Sequence, residues 1–357
     1  MSRKRMGALF ALATAGTLGL AACGSDSDES SDGSAIGVEC VDGVIQAAGS
    51  SAQDNAMQEW IATYQEACTG STIQYQPVGS GAGIQQFLES TVLFAGSDSP
   101  MDDTEAVSAA ERCDGNDAWH LPMVIGPVAL AYNLQGVDSL NLSSETLAGI
   151  FANEITTWND PAIAADNEGV DLPDTPIQAF HRSDESGTTD NFVKYLEGSA
   201  GDAWTYGTGK AWKAPGGQGA KGSAGVAAAV GQTNGSIGYM EWSFATNNAL
   251  SVAMLNGQEL TNESVGTAVE AAQVVGEGND LVVELDYSLD EGYPAVLVTY
   301  EIVCSAGGGE GSDLMQSFLE FAASEDGQNL IADLDYSPLP GELADSVRTA
   351  VSELTTS

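Results

Sequence analysis

Val44-Ile45-Gln46-Ala47-Ala48-Gly49-Ser50-Ser51 is the stretch on which the fold turns. A short run fit for a buried strand enters a glycine and two serines. Beyond them Met57, Trp60, Ile61 and Tyr64 recur at i, i+3, i+4 and i+7, the spacing of one helix face. Ser50 or Ser51 is placed to cap that helix. The unit then repeats. Thr72 to Gln76 alternates Ile73 and Tyr75 as a strand, enters Gly79-Ser80-Gly81-Ala82-Gly83 and continues as a helix with Ile84, Phe87 and Leu88 inward. Val92 to Ala95 is a third apolar run, ending in Gly96-Ser97-Asp98-Ser99-Pro100. Strand, glycine or serine turn, then helix, in series, predicts an α/β sheet. Its turns gather at the carboxyl ends of the strands, where such sheets bind ligands.

Further along, His120 to Asn133 reads as a long extended segment crossing between domains, and a helix follows around Glu145 to Phe151. Pro176 to Phe180 reads as a strand, and Arg182-Ser183-Asp184-Glu185-Ser186-Gly187-Thr188-Thr189 opens a helix carrying Phe192, Tyr195 and Leu196. Gly201 to Gly225 is expected to be irregular, and Ser236 to Met240 to be a strand. Ala295 to Cys304 is a second crossing, with a mainly helical Asp313 to Val351 beyond it. Two crossings divide the chain into two α/β domains sharing a hinge and a cleft: residues 38–130 plus 297–357, and residues 131–296. A length of 357 residues suits two cores.

The amino-terminal segment carries a separate message. Arg3, Lys4 and Arg5 precede a short apolar stretch from Met6 to Leu20, and then Leu20-Ala21-Ala22-Cys23. The stretch suits a secretory signal of residues 1–22 better than a membrane span. Cys23 after small residues resembles the lipobox of bacterial lipoproteins, which implies acylation of Cys23 and anchoring to the outer face of the membrane. Residues 23–37, rich in Ser, Asp and Gly, read as an acidic disordered tether, so folding is expected to start near Val38. The remaining Cys40, Cys68, Cys113 and Cys304 are an even set in an exported chain. They read as two disulfides, with three connectivities open. Their spacing does not resemble a zinc site and His is scarce, so no metal and no cofactor are expected. A net charge of −41 argues against nucleic acid or an anionic membrane surface as partner.

Four turns carry the candidate chemistry: Ser50-Ser51, Gly79 to Gly83, Ser97-Asp98 and Arg182 to Thr188. Three of them begin helices. A helix start offers unpaired N–H groups and a partial positive charge, and glycine and serine there add close approach and hydroxyl donors for an anion. Taken singly, such residues are ordinary N-caps; their conjunction is what points to a site. Arg182 adds a cation whose fork fits two oxyanion oxygens, with Asp184 placed to hold it. Asp98 would repel an anion unless the ligand presents a proton. Phosphate near neutral pH does so and sulfate does not, so a carboxylate there selects the protonated oxyanion.

The set Gly49-Ser50-Ser51-Ala52, Gly79-Ser80-Gly81-Ala82-Gly83, Gly96-Ser97-Asp98-Ser99-Pro100 and Arg182-Ser183-Asp184-Glu185-Ser186-Gly187-Thr188-Thr189 resembles the phosphate-binding subunit of the phosphate-specific ABC transporter. So do Glu145-Thr146-Leu147-Ala148-Gly149-Ile150-Phe151 with Trp158-Asn159-Asp160-Pro161, and Gly235-Ser236-Ile237-Gly238-Tyr239. The resemblance implies a type II periplasmic-binding-protein fold that closes on phosphate, with a permease as partner and a monomeric state. By position it implies Ser51 and the Ala52 amide as first-turn donors, Ser80 as a second hydroxyl donor and Asp98 as the proton acceptor. It implies Arg182 as the bidentate cation with Asp184 its partner, and Ser186, Gly187 and Thr188 as donors at the helix start. One departure is visible: Ser51-Ala52 stands where many relatives carry threonine and a bulky aromatic. Two other classes compete. A serine hydrolase or phosphatase would need a base near Ser80 or Ser186, where only His181 is close in sequence and no Gly-x-Ser-x-Gly elbow occurs. A binding protein for sulfate, molybdate or a phosphonate would have to accommodate Asp98. An added adhesive or sensing role is left open.

Overall fold

A computed structural model describes residues 36–289 and 291–356. The signal segment, Cys23 and nearly all of the tether lie outside the described residues. Packing begins before Val38, because Ile36 is already buried.

The main sheet has nine strands: β1 (Gly43–Gly49), β2 (Ser71–Gln76), β3 (Phe94–Ser97), β4 (Ala118–Asn133), β5 (Gln178–Arg182), β6 (Gln218–Ala220), β7 (Ser236–Glu241), β8 (Ser251–Val252) and β9 (Val296–Cys304). Their order is β2-β1-β3-β9-β4-β7-β5-β6, with β8 also on β4. β1 pairs in parallel with β2 and β3, and β5 with β6 and β7. Between these parallel groups run the two long strands foreseen as crossings. β4 is buried along nearly its whole length and β9 throughout, as apolar runs flanked on both faces must be. β4 changes partner partway: Ala118 to Pro127 pair with β9, and Val128 to Asn133 pair with β7. That exchange falls at Gly126-Pro127, through which the strand runs on unbroken.

The principal helices are α1 (Asp54–Ala67), α2 (Ser80–Leu88), α3 (Asp103–Arg112), α4 (Ser144–Phe151), α5 (Gly187–Ala200), α6 (Gly222–Gln232), α7 (Ser312–Ala323), α8 (Glu325–Ala332) and α9 (Gly341–Ser352). α1 buries Met57, Trp60, Ile61 and Tyr64, the face read from the sequence. The C-terminal helices return to that side. Trp60 donates to Gly327 O at 2.7 Å, and Tyr64 shares a 2.8 Å hydrogen bond with Ser317. In the other half Phe192 stacks on Tyr239 at 4.3 Å and Phe151 meets Phe192 edge-on at 4.9 Å.

Several expectations shift. α1 is capped at Gln53, not at Ser50 or Ser51, and no side chain closes that cap. The third strand starts at Phe94 rather than Val92, and the strand expected over 176–180 is Gln178–Arg182. Within 201–225, read as irregular, Gln218–Ala220 forms an edge strand and Gly222 starts α6. The cysteine pairing left open by sequence is Cys40–Cys68 and Cys113–Cys304. Among the described residues no helix is long and apolar enough to cross a membrane.

Candidate functional site

The carboxyl ends of β1, β3 and β5 and the starts of α2, α5 and α6 meet at one place. Every sequence-derived residue but the cysteines is there. Ser51, Ala52, Ser80, Asp98, Arg182, Ser186 and Thr188 are all buried, and so is Gly187.

β5 delivers Arg182, whose backbone N–H donates to the Tyr239 hydroxyl at 3.0 Å. Its guanidinium is only 2% exposed and is held from one side. Nε donates to Asp184 Oδ1 at 2.9 Å and Nη2 to Asp184 Oδ2 at 2.5 Å. Asp184 also accepts the amide of Gly222 at the start of α6. Burial alone would raise the Asp184 carboxyl, but the hydrogen bonds and charge of Arg182 outweigh it and leave it lowered. With one edge of the fork so occupied, the Nη1/Nη2 edge remains for a ligand. Nη1 reaches the Thr188 hydroxyl at 3.4 Å.

Thr188 passes the contact on, donating to Asp98 Oδ2 at 3.1 Å, while Thr299 of β9 donates to Oδ1 at 2.8 Å. Asp98 is 3% exposed. Burial pushes its carboxyl up, against the lowering pull of Ser50, Thr299, Arg182 and Thr188. Ser80 Oγ accepts two amides, Asp98 N at 3.2 Å and Gly187 N at 3.1 Å, which leaves its hydroxyl proton to donate elsewhere. Ser186 caps α5 by accepting Thr189 N at 3.2 Å. The first-turn amides of Gly187 and Thr188 face the same place, so the helix start supplies donors and a partial positive charge.

The first turn behaves differently from expectation. The Ala52 amide donates to Ser50 Oγ at 3.0 Å, and Ser51 Oγ accepts the Ser223 amide at 3.0 Å. Ser51 thus spans to the start of α6. The Ala52 amide is engaged within the protein, whereas Ser51 accepts from Ser223 and keeps its hydroxyl proton to donate.

Sequence reasoning missed Thr299, Asn191, Gly222 and Ser223, and named Ser50 in a candidate turn without giving it a role. Asn191 donates to Asp98 O at 2.6 Å and to Gly187 O at 2.9 Å, tying α5 to the β3 turn. Thr299 had a signal: with Glu301 it is a polar residue in an otherwise apolar strand. Gly222-Ser223 had a weaker one, a Gly-Ser pair before an alanine-rich helix.

Two α/β halves joined by crossing strands, with an anion-shaped set of donors between them, define a periplasmic-type binding protein. The PBP superfamily domain matches residues 25–326, and the chain belongs to that family. Phosphate-binding protein PstS 3 of Mycobacterium tuberculosis is 41% identical, covering 99% of this chain and 100% of that one. Phosphate-binding protein PstS 2 of the same organism is 44% identical over 85% of this chain and 86% of its own. These relatives place the chain among the PstS phosphate-binding proteins. The solved structure of a high-affinity periplasmic phosphate-binding protein, PfluDING, bound with phosphate shares the fold, with a TM-score of 0.71. It is 23% identical and covers 87% of this chain and 93% of that one.

Proposed function

We propose that this protein captures inorganic phosphate outside the cytoplasm and delivers it to an ABC importer. The observation that carries the reading is the pairing of two opposite groups in one buried site. The free edge of Arg182 supplies a cation, and Asp98, whose oxygens already accept from Thr188 and Thr299, keeps lone pairs for a ligand that brings a proton. Ser51, Ala52, Ser80, Ser186, Gly187 and Thr188 surround them as donors, and a bound anion would draw the Ala52 amide from Ser50 and the Gly187 amide from Ser80. The two halves, residues 38–130 with 297–357 and residues 131–296, would close about a hinge where β4 exchanges β9 for β7. Catalysis has little support. The His181 ring stacks on Trp212 at 4.8 Å and its Nδ1 lies 2.8 Å from Arg182 O, so it bonds to neither serine.

Acylation of Cys23 would hold the protein near its permease. A single acyl chain anchors weakly, so more than one is expected there. Cys23→Ala should release the mature protein from the membrane fraction; firm retention would rule out this anchor. The relatives' names support the ligand, and the family resemblance implies a monomer with the permease subunits as partner.

Calorimetric titration with phosphate and then sulfate, on protein freed of bound phosphate, tests the ligand. Phosphate should bind and sulfate should give no heat. Asp98→Asn should narrow the difference, since polar discrimination of this kind reaches roughly 10⁴ to 10⁵. A folded sample that gives no phosphate heat would move the assignment to another oxyanion.

A further inference from the structure

Behind the first turn three buried acceptors lack a donor: Gln53 Oε1 and both carboxylate oxygens of Glu301. Both residues are 0% exposed. They are also neighbours. Glu301 of β9 pairs with Gly96 of β3, and residues opposite one another in an antiparallel ladder present side chains to one face. The Cβ that Gly96 lacks would lie 2.1 Å from Gln53 Nε2 and 2.5 Å from the Tyr75 hydroxyl. The Glu301 side chain therefore stands beside the Gln53 amide.

The direction of the hydrogen-bond chain follows from its far end. A carbonyl can only accept, so Tyr75 donates its hydroxyl to Ser50 O at 2.7 Å. The phenol oxygen in turn accepts from Gln53 Nε2 at 3.0 Å. That fixes the amide with Oε1 as an acceptor awaiting a donor. A neutral carboxylic acid has one proton to give, and a carboxylate has none. We infer that Glu301 is a protonated acid at the head of this chain, Glu301 to Gln53 to Tyr75 to Ser50, and that it positions the Ser50–Ala52 turn for the anion. The inference rests on the phosphate reading of that turn.

Burial pushes the Glu301 carboxyl up to about 8; the neighbouring Gln53 amide pulls against that rise and the charge of Asp98 adds to it. The titratable groups around it are Asp98 at the end of β3 and the Tyr75 phenol on β2, with Asp54 at the start of α1 next to that phenol. On β4 its register partner is the apolar Leu121. No cation is among these groups. Neutral Glu301 keeps a second negative charge from standing behind the anion. Its ionisation would place that charge beside Asp98 and set two acceptors against each other at Gln53.

The test combines phosphate titration with infrared difference spectroscopy on the full chain, below and above the ionisation of Glu301. At neutral pH the wild type should show the carbonyl band of a buried neutral acid, absent from Glu301→Gln. Wild-type phosphate affinity should fall about tenfold on raising the pH through the Glu301 titration. Glu301→Gln keeps a neutral donor, so its affinity should stay within about threefold of wild type at neutral pH and lose that extra alkaline fall. Glu301→Met has no donor and should bind about tenfold more weakly at every pH. Should Glu301→Met not fold, the pH profile of Glu301→Gln still decides. Absence of the acid band, or the same pH profile in wild type and Glu301→Gln, overturns the proposal. A wild type that shows the band but binds no phosphate would remove the ligand reading, and the positioning role with it, while leaving the protonated acid in place.

Discussion

Gly187, at the start of α5, packs tightly against the turn that follows β3. A Cβ there would lie 2.6 Å from Asp98 Cβ and 2.8 Å from both Asp98 Cα and Ser80 Oγ. The near atoms of Asp98 include backbone, so the strand cannot simply turn aside. Overpacking of this kind costs about 1–3 kcal/mol, and on the hinge reading proposed above it falls on the closed arrangement alone. Gly187→Ala should therefore weaken phosphate binding roughly 5- to 150-fold while moving Tm little, by calorimetric titration beside thermal unfolding. A large fall in Tm with unchanged affinity would show that the contact serves folding instead. Glu301 makes the complementary statement about pH. Its folded value, about 8, lies above the ordinary 4.5, so the folded state holds the proton more tightly than the unfolded chain. Its stabilising contribution is complete below the unfolded value and is lost as pH rises toward the folded one. Denaturant midpoints should fall between those limits in the wild type relative to Glu301→Gln, and parallel curves would contradict this.

At the scale of elements, the two disulfides close very different loops. Cys113 ends α3 and Cys304 ends β9, a separation of 191 residues, whereas Cys40–Cys68 spans 28. Chain entropy makes each worth about 3–5 kcal/mol, the longer loop more. The double replacement Cys113→Ser with Cys304→Ser should then lower Tm more than Cys40→Ser with Cys68→Ser. The reverse order would mean that native contacts already close the long loop. The elements themselves were legible wherever a period met water. Met57, Trp60, Ile61 and Tyr64 announced α1, and Ile73 and Tyr75 announced β2. The misreadings arose where local chemistry had two uses. Ser50 and Ser51 look like caps, but the chain spends them on Ala52, Asp98 and the start of α6, so the helix starts later. Gly201 to Gly225 looks irregular by composition, and only pairing with β5 makes a strand of Gln218–Ala220. The site turns were legible because Gly, Ser, Arg and Asp recur before helices. Thr299 stood out only as a polar residue in an apolar strand and Asn191 not at all, because their role depends on β9 and α5 meeting the β3 turn.

Across the whole molecule, a strongly acidic protein is asked to take up an anion. Its net charge is −41, yet the site presents Arg182, helix-start amides and hydroxyls. The conflict resolves by distance. Surface charges are screened beyond about 8–10 Å at moderate salt, while donors in a water-excluded site act at contact. Hydrogen bonds and an ion pair also join the two proposed halves: Ser99 donates to Asp190 at 2.7 Å, Asn55 to Ser243 at 2.7 Å, and Lys210 meets Glu105 at 3.1 Å. The Lys210 pair is half-buried, so Lys210→Met should weaken phosphate binding only a few-fold, in line with about 1 kcal/mol for such pairs. The long-range field should show itself in the approach instead. An anion drawn toward the open protein meets a repulsive potential that salt relieves, whereas the closed complex is held by short-range bonds that salt scarcely reaches. Raising ionic strength should therefore speed phosphate association roughly two- to tenfold, read by stopped-flow tryptophan fluorescence, and leave dissociation nearly unchanged. A clear slowing with salt would mean that a local positive field around Arg182 governs encounter, and that the acidic surface is too distant to matter.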